Sequence, residues 1–175
     1  MTIRLVAGTA AAVLLLSVAA CGSDDSDDSG TASPAPATPT ASATPELITY
    51  QHGGDPGVQV ETLGEKARLK GAPDDFADFI GQTAQVLAEQ STCSDGYVGV
   101  TVAVVRSDGF ARGGVNDCGG YAALWARTDS AWAEIDGTQE MWDCSTLEEY
   151  AVPSDVAGSD CWDSAANKRR DYQHA

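Results

Sequence analysis

Between residues 46 and 165 the spacing of apolar side chains changes twice. Phe76, Phe79, Ile80, Ala84, Leu87 and Ala88 recur at steps of three and four, which places them on one face of a helix. Pro73 suits the start of that helix, and Asp74, Asp75 and Asp78 fall in its first turn, where the helix dipole favours negative charge. The spacing predicts a helix from Pro73 to Gln90. Gly81, inside it, costs about 1 kcal/mol relative to Ala, so the helix depends on packing. From Tyr97 the period becomes two. Valines 98, 100, 102 and 104 fall on one face of a strand. Ser107-Asp108-Gly109 marks a turn, and Phe110 to Val115 returns as a second strand. After a break at Cys118-Gly119-Gly120, Tyr121 to Arg127 reads as a third. Thr128-Asp129-Ser130 turns it into a fourth, Trp132 to Asp136. Near the end the helical spacing is back: Ser145-Thr146-Leu147-Glu148 has the form of a capping box for a short helix to Tyr150, stopped by Pro153. Residues 62–70 read as a turn or a single helical turn. The order predicts an α+β domain: one main helix packed on one face of an antiparallel sheet of about four strands, with a short C-terminal helix.

One apolar run lies outside this frame. Leu5 to Leu16 is interrupted only by Gly8 and Thr9, follows the single cation Arg4, and ends in the small residues Ser17 to Ala20. It is short for a membrane span, which needs ~20 apolar residues. A basic start, an apolar middle and a small-residue end make a secretory signal, which is removed and contributes nothing to the folded core.

The small residues meet a cysteine. Val18-Ala19-Ala20-Cys21 resembles the lipobox of bacterial lipoproteins. That resemblance implies cleavage after residue 20, a diacylglycerol on the Cys21 thiol, and a chain held on the extracytoplasmic face of the cell membrane. Two acyl chains suffice for such an anchor, where one is marginal. The segments GGYAALWARTDSAWAEI and WDCSTLEEYAVPSDVAGSDCW also look like small secreted actinobacterial lipoproteins of unassigned function. The element order is similar to cystatin-like and nuclear-transport-factor-like folds, which implies a curved sheet wrapped on a helix.

Residues 21–45 hold the lipidated cysteine and a Ser-, Asp-, Pro- and Thr-rich tether. After Cys21 the tether has no Leu, Ile, Val or aromatic residue, and such a segment cannot offset its ordering entropy. Asp25-x-Asp27-x-Ser29-Gly30 matches the first half of a calcium loop, but its twelfth position is Pro36, where the loop needs a bidentate Glu. Residues 46–165 suffice for one domain, and residues 166–175 read as a polar, frayed tail.

Charge narrows the partners. The 175-residue chain has 26 Asp plus Glu and 10 Lys plus Arg, for a net charge of −16. Nucleic acid requires a basic patch, so none is expected to bind. The partners left are the membrane through the anchor, and an envelope protein, a wall polymer or a small ligand.

With Cys21 lipidated, Cys93, Cys118, Cys144 and Cys161 remain, an even number in an exported chain. That reads as two disulfides with three possible pairings. A hairpin turning at Ser107-Asp108 brings residues 93–97 opposite 118–122, which favours Cys93–Cys118; Cys144–Cys161 would then clip the short helix to the body. There is no Cys-x-x-Cys pair, and His52 stands far from every cysteine, so neither a metal nor a cofactor is expected. The only histidines are His52 and His174, and no G-x-S-x-G, H-E-x-x-H, phosphate loop or G-x-G-x-x-G is present. No catalytic residue stands out, and the domain reads as a non-catalytic binding or interaction module. The alternative is an envelope hydrolase using two carboxylates. The tryptophans read as core or edge seals; if exposed, Tyr121, Trp125 and Trp132 would be the binding anchors.

Overall fold

The computed structural model describes residues 44–175. The signal, the lipobox with Cys21, and the acidic stretch from Asp25 to Pro36 lie outside the described residues.

The long amphipathic segment forms α1 (Asp74–Gln90), preceded by a 3-10 turn at Leu63–Arg68. Phe76, Ile80, Gly81 and Ala84 are its buried residues. The alternating segments form β3 (Gly99–Arg106), β4 (Phe110–Asn116), β5 (Gly120–Thr128) and β6 (Ala131–Thr138). These pair antiparallel in sequence order. The α+β class and the four-strand meander therefore stand, but the sheet is larger than expected. Two short strands, β1 (Leu47–Thr49) and β2 (Val58–Val60), both pair with β3. At three residues each they are too short to show a period of two.

Their placement explains a second difference. Valines 98, 100, 102 and 104 do not share a face. The β3–β4 register runs Val102↔Gly113 and then Val104↔Arg112, so Ala103 is a bulge. One extra residue reverses the alternation beyond it. Val100, Val102 and Val105 enter the core under α1, while Val104 enters a second core on the opposite face. The bulge also divides the edge: β2 pairs with residues 100–102 and β1 with residues 104–106. Between them Tyr50 N–H donates to the Ala103 carbonyl at 2.9 Å. Gly57 passes so close that a Cβ would lie 2.1 Å from the Val102 carbonyl oxygen, so only glycine fits there.

The second core has its own cover. Packing is thus on both faces of the sheet, not on one. α2 (Cys144–Glu149), α3 (Ser154–Ala157), β7 (Asp160–Asp163) and β8 (Lys168–Asp171) make a C-terminal layer. It buries Leu147, Val152, Val156, Cys161 and Tyr172 against Val104 and Leu124. The cap of α2 is Asp143, which accepts from Ser145 N–H at 2.8 Å; Ser145, expected to cap, lies inside the helix. The segment read as a frayed tail is ordered by pairing. β8 lies antiparallel to β7, Arg169 meets Asp160, and Arg170 meets Glu148. The buried Tyr172 hydroxyl donates toward the carbonyls of Val152 at 2.6 Å and Leu147 at 3.0 Å.

Both disulfides form with the favoured pairing. Cys93–Cys118 has a Cα–Cα distance of 5.3 Å and Cys144–Cys161 one of 5.0 Å. The first closes the open end of the β3–β4 hairpin, and the second ties α2 to β7. Among the described residues no helix is long and apolar enough to cross a membrane.

Candidate ligand groove between the long helix and the sheet

Two of the three proposed aromatic anchors are core. Trp125 is fully buried and Trp132 is 7% exposed. Both rings meet Phe76 of α1 edge to face, with centroids 6.2 and 4.6 Å apart. Gly113 on β4 makes room for Trp125, since a Cβ there would lie 2.9 Å from its ring. Arg127 stacks over Trp132 at 5.4 Å and pairs with Asp75 at the start of α1. These two tryptophans therefore fasten α1 to the sheet and cannot present a surface. Trp142 is buried in the second core, while Trp162 on β7 is 38% exposed. Tyr121, at 37% exposure, is the anchor that remains accessible.

Tyr121 borders a groove of about 450 Å³. The C-terminal half of α1 supplies one wall: Phe79, Gln82, Thr83, Val86, Leu87 and Gln90. The sheet supplies Val115 from β4, Tyr121 from β5 and Glu134 from β6. Where Phe76 meets Trp125 and Trp132, the first half of α1 is filled beneath. Toward Gln90 the α1 face of the sheet carries Ala123 and, opposite it on β6, Gly137, with no large ring between them and the helix, and space is left. The Cys93–Cys118 bridge lies at this end. Ser91, just past α1, donates through its hydroxyl to Asp117 at 2.5 Å, so the helix end is tied to the end of β4.

Glu134 and Tyr121 form the polar point of the groove. The Tyr121 hydroxyl lies 3.1 and 3.3 Å from the two Glu134 carboxylate oxygens and donates to them. Gly137 lies under the pair: a Cβ there would stand 2.8 Å from the Tyr121 ring and 3.3 Å from a Glu134 oxygen. Glu134 is opposite Trp125 in the β5–β6 register. The buried Trp125 indole N–H completes no hydrogen bond among the described residues. It is nonetheless near enough to draw the Glu134 pKa down, as a dipole and not as a formed bond.

Burial dominates the titration of both groups. Glu134 as a residue is exposed at the edge of the sheet, yet desolvation of its carboxyl raises its pKa, against the lowering effect of Tyr121 and Trp125. The Asp136 charge raises it further. The Tyr121 hydroxyl is pushed up to about 12, first by burial and then by the Glu134 charge. It is therefore a protonated donor throughout the physiological range.

Other chemistry is sparse around the groove. Glu134 is the single carboxylate in its lining, and the Thr83 hydroxyl is taken by the Phe79 carbonyl at 2.9 Å. His52 is exposed in the loop between β1 and β2, and His174 is exposed near the C-terminus. Among the described residues Cys93, Asp117 and Cys118 cluster like metal ligands, but both sulfurs are spent in the bridge and provide no thiolate. Sequence reasoning missed Glu134, one acid among 26, and the groove face of α1. Val86 was the available signal: it is apolar, off the buried stripe, and 49% exposed. No family model, no curated protein and no solved structure matches this chain.

Proposed function

We propose that this chain is an acyl-anchored lipoprotein of the extracytoplasmic membrane face whose domain binds a small, mainly apolar ligand without turning it over. The observation that carries the binding role is the groove between α1 and the sheet. Its volume, about 450 Å³, falls within the range of small-molecule sites, ~300–1,000 Å³. Its walls are largely apolar, with few polar groups converging on one point, as such sites require. The cystatin-like or nuclear-transport-factor-like likeness belongs to the same proposal, since both imply a helix lying across a sheet.

A hydrolase working with two carboxylates is the second reading, and the raised Glu134 pKa favours it. It needs a second carboxylate facing the same space. Asp136 acts on Glu134 through its charge but is absent from the groove lining. Binding without turnover is therefore the better account.

The test is titration of the purified domain with a neutral naphthalene fluorophore. Saturable binding at one site is expected. Val86→Trp, which fills the groove from an exposed position, should weaken it at least about tenfold while circular dichroism stays unchanged. Unsaturable binding, or equal binding by the variant, defeats the groove reading. Glycan turnover that is lost in Glu134→Gln defeats it in favour of the hydrolase.

A further inference from the structure

We infer that the groove is a site for a small organic ammonium, whose hydrocarbon body lies between α1 and the sheet and whose N–H groups donate to Glu134. This rests on the groove being a ligand site, and it specifies what that ligand carries.

The argument begins with what Glu134 lacks. A carboxylate has about four lone-pair positions. The Tyr121 hydroxyl supplies one hydrogen shared between both oxygens, at 3.1 and 3.3 Å. The Trp125 N–H completes no bond. Among the described residues no Lys, Arg or His nitrogen lies within ion-pair reach of Glu134, and no cation lines the groove. Arg127, on the adjacent strand β5, is committed to Asp75. Glu134 therefore lies at the end of a largely apolar groove with no cation of its own, and a cation brought in by a ligand can form the charge-assisted bond that the chain does not provide.

The pair is also built. Gly137 leaves the space in which the Tyr121 ring lies beside Glu134, because a Cβ there would crowd both. Tyr121 thus holds the carboxylate from one side and leaves the groove side open. The opposite wall carries amides and hydrocarbon, Gln82, Val86, Leu87 and Gln90, which suit an apolar body with one charged end. An anion is disfavoured there by Glu134 and by the field of the whole domain, where residues 46–175 hold 22 acidic against 9 basic side chains. A neutral alcohol can donate one hydrogen bond but brings no charge. A charge-assisted bond is about twice as strong as a neutral one.

The experiment displaces the neutral fluorophore with octylammonium, octanol and octanoate, which share one hydrocarbon body. Octylammonium should compete with a Kd at least about tenfold below that of octanol, which corresponds to about 1.4 kcal/mol, and octanoate should be the weakest. Glu134→Gln should bring octylammonium and octanol to the same affinity. Equal competition by octylammonium and octanol in the unmodified domain overturns the ammonium assignment and leaves the groove reading intact. Failure of the fluorophore itself to bind defeats the groove reading first. The comparison of the three octyl compounds needs no substitution, so it decides even if Glu134→Gln does not fold. A lysine-containing peptide that competes where octylammonium does not would place a protein partner on the groove and overturn the small-molecule assignment.

Discussion

Glu134 is where stability and recognition pull in opposite directions. Its carboxyl has a folded-state pKa above its ordinary value, chiefly through desolvation. The native state then holds a proton at pH values where the unfolded chain has lost it. Stability is therefore highest below the unfolded pKa and falls as pH rises through the folded one. At neutral pH the ionised side chain is a net cost, because the Tyr121 bond does not fully compensate burial. Glu134→Gln keeps the shape and removes the charge. The variant should melt higher than the parent at pH 7, and the difference should vanish below about pH 4.5, the ordinary glutamate value, where the parent is also neutral. Thermal melts of both proteins across this range give the answer; an equal Tm at pH 7 would show that Glu134 is not effectively desolvated. A site that keeps a destabilising charge is consistent with selection for a ligand that meets it.

Among the elements, β3 and the C-terminal layer explain most of the architecture. β3 is buried along both faces except at Arg106, and the bulge at Ala103 distributes its valines between two cores. Each core is thin. The second is closed by elements of four to six residues, α2, α3, β7 and β8, which could not persist on their own propensity. The Cys144–Cys161 bridge joins the first of these helices to the first strand of the hairpin, across a separation of 17 residues. Loop-closure entropy assigns such a bridge about 3 kcal/mol. Replacing both cysteines by serine should lower unfolding free energy by about that amount in urea titrations under oxidising conditions. An unchanged midpoint would mean that burial of Leu147, Val152 and Tyr172 alone holds the layer.

For the whole molecule, the proposal joins three parts with separate physics: an acylated cysteine, a low-hydrophobicity tether, and a stapled domain. Under that proposal the tether, whose second half is Pro-rich, would span several tens of Å if extended at ~3.1 Å per residue. The anchor depends on Cys21 alone. Cys21→Ser should abolish incorporation of a fatty-acid analogue in cells and leave the signal uncleaved at residue 20, as read by labelling and intact-mass measurement. Equal label in variant and parent would remove the lipoprotein reading. The groove would be unaffected, because the domain contributes all of its walls.

Local chemistry was enough to read several features without the fold. The apolar period of 3.6 in α1 and the turn residues at 107–109 and 128–130 are properties of adjacent residues, so they survive in the sequence. The cysteine pairing followed from one hairpin, since its turn sets which ends meet. What depends on contacts between distant residues did not show. A single bulge at Ala103 reverses the facing of every later side chain in β3, and nothing in GVTVAVVR marks it. β1 and β2 exist because β3 offers them an edge, and β8 because Asp160 and Glu148 receive its arginines. Trp125 and Trp132 became core because Gly113 and Phe76 leave ring-sized space beside them. The candidate site is the extreme case. Tyr121 could be picked out as an anchor, but Glu134, Gly137 and Val86 are unremarkable in isolation, and their meaning arises only where the second half of α1 crosses the sheet. Sequence alone could determine local geometry; only the tertiary structure could decide which side chains share a space, because that is set by register and by packing volume.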